Sequence, residues 1–169
     1  MSFQRIKVHK KDIIHFYEPG LLISRHVVGV NFLEHFGLMD RIINGEVWVY
    51  DFQPNKGGFG FEVEGRIVHK KVKDFLEDRN EILIYHNDIV DNKKLRRKVL
   101  HILKFLHENN IPIIFNLLNN NCELIITKLF YGENAWSSQT IAAIILSVLI
   151  IILVLIVFYY ILRKLMKED

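Results

Sequence analysis

Cysteine is nearly absent from this chain. Cys122 is the single one among 169 residues, so no internal disulfide can form, and no Asn-X-Ser/Thr acceptor site occurs. Both absences fit a reducing, cytosol-facing domain rather than a secreted one. The N-terminus, Met1-Ser2-Phe3-Gln4-Arg5-Ile6-Lys7, runs straight into mixed charged and apolar residues and offers no signal-peptide core. Neither sign of charge dominates: a formal net charge of +3 does not by itself point to nucleic acid. Gly57-Gly58-Phe59-Gly60 has no following Gly-Lys-Ser/Thr, which excludes a phosphate loop. His101 and His107 lack the four-residue spacing of helical metal ligands, and one cysteine cannot build a typical structural zinc site. Neither a cofactor nor a metal is expected. Internal repeats and low-complexity segments are missing as well.

What the chain does have is a long hydrophobic run. Residues 141–162 carry no charge across twenty-two positions. As a helix rising 1.5 Å per residue they extend about 33 Å, enough for a bilayer core of about 30 Å. Core helices of soluble proteins keep a polar face, and this one has none. Tyr159 and Tyr160 near one end and Trp136 before the other sit where interfacial anchors sit. The chain therefore divides into a domain at 1–135, a spacer at 136–140, a transmembrane helix at 141–162 and a short basic tail at 163–169. The first part has room for one compact domain. Arg163, Lys164 and Lys167 would place the C-terminus in the cytosol by the positive-inside tendency. The missing signal peptide and the free thiol favour the opposite, a cytosolic domain on a single-pass C-terminal anchor, and that arrangement is the expectation.

Residues 12–17, 26–32 and 47–52 are β-rich runs, punctuated by Pro19-Gly20 and by Pro54-Asn55-Lys56-Gly57-Gly58. Residues 59–63 and 66–68 flank a turn at Glu64-Gly65, residues 74–78 read as a short helical turn, and 82–85 is a further strand. The clearest helix of the domain spans 91–109. Leu95, Val99, Ile102, Leu103 and Leu106 recur there at three- and four-residue spacing. Asp91 or Asn92 can cap its start, and Asn109-Asn110 before Pro112 ends it. Lys93, Lys94, Arg96, Arg97, Lys98 and Lys104 take the rest of its surface, which predicts a solvated basic face compatible with anionic headgroups. A last helix starts at Cys122 with Asn120 or Asn121 as N-cap. Cys122, Ile125, Ile126 and Leu129 share one of its faces, which turns the thiol toward the domain.

A thiol at a helix N-terminus feels the positive end of the macrodipole, which lowers its pKa. Catalysis also needs a base within reach and a group that orients it. Of eight histidines, His26 stands out because it opens a strand whose other members are small or apolar. Asp51 follows Val47 and Val49 on one strand face, where a carboxylate needs a partner. The spacing nominates Cys122, His26 and Asp51 as a triad. The same spacing also fits a buried structural cysteine, a satisfied histidine and a turn-forming aspartate. His35, within Glu34-His35-Phe36-Gly37, reads as a loop residue and a second choice of orienting group.

Phe115-Asn116-Leu117-Leu118-Asn119-Asn120-Asn121-Cys122-Glu123, continuing to Leu129-Phe130-Tyr131-Gly132, resembles the nucleophile segment of the lecithin:retinol acyltransferase-like family. That segment reads Asn-Cys-Glu-His-Phe and then Arg-Tyr-Gly. The order of parts resembles the phospholipase A/acyltransferase branch: a catalytic domain, the Asn-Cys-Glu helix, a spacer and one C-terminal anchor. Asp12-Ile13-Ile14-His15-Phe16 with Pro19-Gly20 resembles the family's opening strand. Arg25-His26-Val27-Val28-Gly29-Val30 is similar to its Arg-His-Trp-Ala-hydrophobe-Tyr, which assigns the general base to His26. Val49-Tyr50-Asp51-Phe52-Gln53-Pro54 lies where the family has Val-Val-His-Leu-Ala-Pro. The chain departs from the pattern at Asp51, in place of the second histidine, at Leu124, in place of the histidine after the glutamate, and at Val27 and Val30.

The resemblance implies an α+β fold, an antiparallel sheet packed on the nucleophile helix as in a permuted papain-like (NlpC-type) domain. It implies a thiol phospholipase A or acyltransferase, in which Cys122 takes an acyl chain from a membrane glycerophospholipid and passes it to water, an amine or a lysolipid. Membrane phospholipids are the expected partner, and nucleic acid is not. Two rivals share the scaffold: a catalytically impaired membrane-tethered adaptor, for which the missing second histidine argues, and a thiol peptidase or amidase.

Overall fold

The computed structural model describes residues 4–27, 30–55, 63–115, 122–132 and 138–165. Chain order is β1 (Gln4–His9), a 3-10 helix (Lys10–Phe16), β2 (Leu22–Val27), β3 (Val30–Ile43), β4 (Glu46–Pro54) and β5 (Val63–Lys71). Then come α1 (Val72–Leu76), β6 (Glu81–His86), α2 (Lys93–Glu108), β7 (Ile113–Phe115), α3 (Cys122–Tyr131) and α4 (Ser138–Leu165). The strands form one seven-stranded sheet in the order β1-β6-β2-β3-β4-β5-β7, with every pairing antiparallel. The fold class is α+β.

Side chains alternate across a strand, and both faces of this sheet are covered. One face presents Leu22, Phe36, Leu38, Tyr50, Phe52, Ile67 and Tyr85 to Val99 and Leu103 of α2 and to Ile125, Ile126 and Phe130 of α3. The other presents Ile23, Met39, Val47, Val49, Ile82 and Ile84 to Ile13 of the 3-10 helix and to Phe75 and Leu76 of α1. We call these the α2/α3 face and the α1 face.

Several elements differ from the sequence reading, among them the expected Glu64-Gly65 turn, which lies inside β5. Residues 12–17 lie not in a strand but mostly in the 3-10 helix, whose first turn is capped by the His9 side chain accepting from the Lys11 N–H. Within it only Ile13 is buried, while Ile14 and Phe16 face solvent. The run at 26–32 straddles the end of β2 and the start of β3, and Glu34-His35-Phe36-Gly37 is strand rather than loop. Asn44 and Gly45, with φ of +51° and +76°, form the two-residue turn between β3 and β4. On α2, capped by the Asn92 side chain, Arg96 leaves the basic surface and is buried. It donates to the Val90 carbonyl and pairs with Glu18 at 2.6 Å and Asp91 at 2.5 Å. Residues 59–62 of the strand expected at 59–63, the glycines at 57–58 and 60, the caps Asn120 and Asn121, Trp136 and Lys167 lie outside the described residues.

Within α4, residues 144–161 have a mean hydropathy of 3.3 and none is buried in the protein. This helix is long and apolar enough to cross a membrane.

Candidate functional site

The β3–β4 ladder carries the most tightly held polar group. Gly37 is the cross-strand partner of Asp51, and His35, two residues earlier on the same face, lies diagonal to it. Diagonal neighbours are within reach of a long side chain, and with Gly37 opposite there is no side chain between them. His35 Nε2 sits 2.5 Å from Asp51 Oδ1, and Asp51 is 0 % exposed. On the far side, β5 pairs Val68 with Asp51 and Val49 with Lys70, so Lys70 shares the α1 face and its ammonium pairs with Asp51 Oδ2. Phe75 of α1 closes the cluster, its ring centroid 5.6 Å from that of His35. A Cβ on Gly37 would stand 3.1 Å from the Phe75 ring, which keeps this position small. Burial alone would push the Asp51 carboxyl up. The His35 and Lys70 charges outweigh that and hold it below the usual carboxylate value.

The His26–Asp51 pair expected from the sequence is not formed. His26 ends β2 opposite Glu34, and it alternates onto the α2/α3 face with Leu22 and Ser24. Asp51 lies two strands away on the α1 face, and both of its oxygens are engaged by His35 and Lys70. The β-bulge between Met39 and Ile42 is the physical reason for the partner exchange. Carried straight from Ile43↔Glu46, the ladder would set Leu38 opposite Asp51. The bulge shifts it by one residue, so that Gly37, and with it His35, shares the face of Asp51. His35 was legible from one signal, the Asn44-Gly45 turn between apolar runs, which places the residues before it in a strand. Lys70 had none.

Cys122 is the first residue of α3, at the positive end of its dipole. The helix packs on β3 and β4 through buried Ile125, Ile126 and Phe130. Thr127 Oγ donates to the Glu123 carbonyl at 2.8 Å inside the helix. The thiol itself lies outside the described side chains.

Two further polar groups occupy the α2/α3 face. Ser24 Oγ donates to Glu34 Oε2 at 2.9 Å, the Tyr85 hydroxyl donates to the same oxygen, and Arg5 pairs with Oε1 at 3.3 Å. Burial and the neighbouring Glu34 carboxylate push the Tyr85 hydroxyl well above its usual value. Near the other end of the sheet His69 stacks on Tyr50 with centroids 4.5 Å apart and pairs with Asp40 at 2.9 Å. Burial lowers the His69 pKa against the opposing pull of Asp40. Among the described residues no group of three His, Cys, Asp or Glu side chains is placed to hold a metal ion. Neither a protein-family model nor a curated protein matches the chain.

Proposed function

We propose that the chain is a membrane-anchored thiol acyl hydrolase or acyltransferase that cleaves glycerophospholipid acyl esters through a Cys122 thioester. In this reading His26, which lies on the sheet face that α3 covers, is the base. The observation that supports it is that His26 shares that face with the Cys122 helix and that its Nδ1 has no hydrogen-bond partner among the described residues. His26 takes the thiol proton, and Asp51, held by His35 and Lys70 on the opposite face, does not orient it. The thiolate attacks the ester carbonyl, and backbone N–H groups at the start of α3 stabilise the oxyanion. Collapse of the tetrahedral adduct expels the lysophospholipid alkoxide, which takes the proton back from the imidazolium. Water, or an amine or lysolipid acceptor, then gives its proton to His26, attacks the thioester and releases Cys122. The helix α4 would hold the domain at its substrate, on the cytosolic side.

Full-length protein in detergent micelles containing phosphatidylcholine should show a Cys122 acyl adduct by intact mass and should release lysolipid. Cys122→Ser should abolish both. His26→Ala should slow turnover by about 10²–10⁴-fold, the range of general acid–base catalysis. A second reading is a tethered adaptor that keeps the scaffold without chemistry. It is favoured by the Lys70 ammonium on Asp51 and by the placement of the His35–Asp51 pair on the face opposite to the one α3 covers. A folded protein that yields neither adduct nor lysolipid would decide for the adaptor.

A further inference from the structure

The charges of α2 work against its own dipole. A helix start favours carboxylates, yet the first turn of α2 has none and opens on Lys93 and Lys94. Lys93, Lys94, Arg97 and Lys98 are exposed, and none of them has a carboxylate partner among the described residues. Glu18 and Asp91 are both drawn onto buried Arg96, and Glu108 pairs with Lys104 at 3.6 Å. Asp88, exposed in the turn before the helix, can offset only one of the remaining charges. Lys94, Lys98, His101 and Phe105 follow one another at four-, three- and four-residue steps along the exposed side, with Arg97 beside them. Phe105 is 54 % exposed in the middle of this basic surface. Where a local rule is broken without a gain in packing, function is the ordinary reason.

The end of α3 is fastened to the turn that leads into α2. Asn87 Nδ2 donates to the Tyr131 hydroxyl at 2.7 Å, and the Asn87 side-chain oxygen accepts from the N–H groups of Ile89 and Val90. From Gly132 to Ser138, where α4 begins, the chain can reach at most about 22 Å. The apolar stretch of α4 starts at Ile144, roughly 9 Å further along the helix. A bilayer crossed by α4 is therefore within reach of the exposed side of α2.

We propose that the exposed side of α2 docks on the bilayer and selects anionic lipid headgroups. Charge complementarity names the occupant, because basic residues clustered beside a membrane span are attracted to an anionic leaflet. Phe105 supplies the apolar side chain that such a surface inserts among the headgroups. Anionic lipid also relieves the mutual repulsion of the unpaired cations. Docking of this kind turns the α2/α3 face toward the bilayer and the α1 face away from it. The inference rests on α4 crossing the bilayer and not on the thiol chemistry. A contact held by charge is screened by salt, and alkaline carbonate, which neutralises lysine, removes it.

Full-length protein can be reconstituted into nanodiscs of phosphatidylcholine, with and without about one third phosphatidylserine. Brief acetylation followed by peptide mass spectrometry then reads each lysine. In the anionic discs at low salt Lys93, Lys94 and Lys98 should label at least about threefold more slowly. Lys10 and Lys11, exposed in the 3-10 helix on the α1 face, should label alike in both discs. Sodium chloride at about 0.5 M, where the screening length falls to roughly 4 Å, should erase the difference. Combining Arg97→Gln with Lys98→Gln should remove most of the protection at Lys94 while circular dichroism stays unchanged. The proposal is overturned if the α2 lysines label alike in both discs, or if Lys10 and Lys11 are protected to the same degree. Protection by added polyglutamate or an RNA oligonucleotide, with none from phosphatidylserine, would overturn it in favour of a soluble acidic partner. A chain that failed to enter the discs would remove the anchor on which the proposal rests.

Discussion

A carboxylate sealed between an imidazole and an ammonium stays charged only while both partners remain, and Asp51 is in that position. Removing one member of a buried ionic group costs about 3–5 kcal/mol, because the others are left uncompensated. Asp51→Ala should therefore destabilise the domain by about that much in urea unfolding followed by near-ultraviolet circular dichroism, with Asp51→Asn less damaging. The folded pKa of Asp51 is lowered. Its contribution is thus present above the unfolded value of about 3.9 and lost as pH falls through the folded one. The parent should lose stability progressively below about pH 4, and Asp51→Asn should lack that component. His69 titrates in a different window. Its folded pKa is also lowered, here by burial, so its contribution is complete above about pH 6.5 and declines as pH falls further. Stability measured from about pH 7 to pH 5 should fall less in His69→Gln, whose amide can still donate to Asp40. Parallel curves for parent and variant would refute this assignment.

At the scale of elements, a close fit joins the turn before β2 to the buried stretch of α2. Gly20 has φ of +75°, and a Cβ there would stand 2.7 Å from Arg96 Cβ and 3.0 Å from the Arg96 carbonyl oxygen. Gly20→Ala is therefore strained twice, by the left-handed backbone and by overpacking, and should cost about 2–4 kcal/mol in the same urea assay. A variant within about 0.5 kcal/mol of the parent, the ordinary range for a harmless surface change, would mean that α2 yields freely. The helix itself was legible, because Leu95, Val99 and Leu103 repeat with its period. The burial of Arg96 was not, since one arginine among neighbouring lysines looks like solvated charge until Glu18, far away in the chain, is brought against it. The same limit explains the histidine. A His26–Asp51 pair looked natural because each sits in an apolar strand, whereas the partner of Asp51 is chosen by a bulge between Met39 and Ile42. A one-residue slip exchanges the two faces of a strand, and no local pattern announced this one. Periodicity also missed the 3-10 helix, where apolar and polar residues mix without either period.

For the molecule as a whole, α4 is the element that water does not tolerate. It is apolar all round, with 0 % of residues 144–161 buried in the protein, and it is long and apolar enough to cross a bilayer. Fifteen Ile, Leu, Val and Phe residues fall in this window. At about −0.3 to −0.6 kcal/mol each they favour insertion by roughly 4–9 kcal/mol. A central arginine opposes this by about 2.5–3.5 kcal/mol, less than most of that range, so Leu153→Arg alone should leave the chain in the carbonate-resistant membrane fraction. Combining Leu149→Arg, Leu153→Arg and Ile156→Arg raises the opposition to roughly 8–10 kcal/mol, which is enough to release it. The domain should survive that release, because none of the three side chains touches its core. The triple variant should then appear in the soluble fraction with the urea midpoint of the parent. A parent chain already extractable by carbonate would exclude the span, and a triple variant that stayed with the membrane would show that the domain holds the bilayer by a surface of its own.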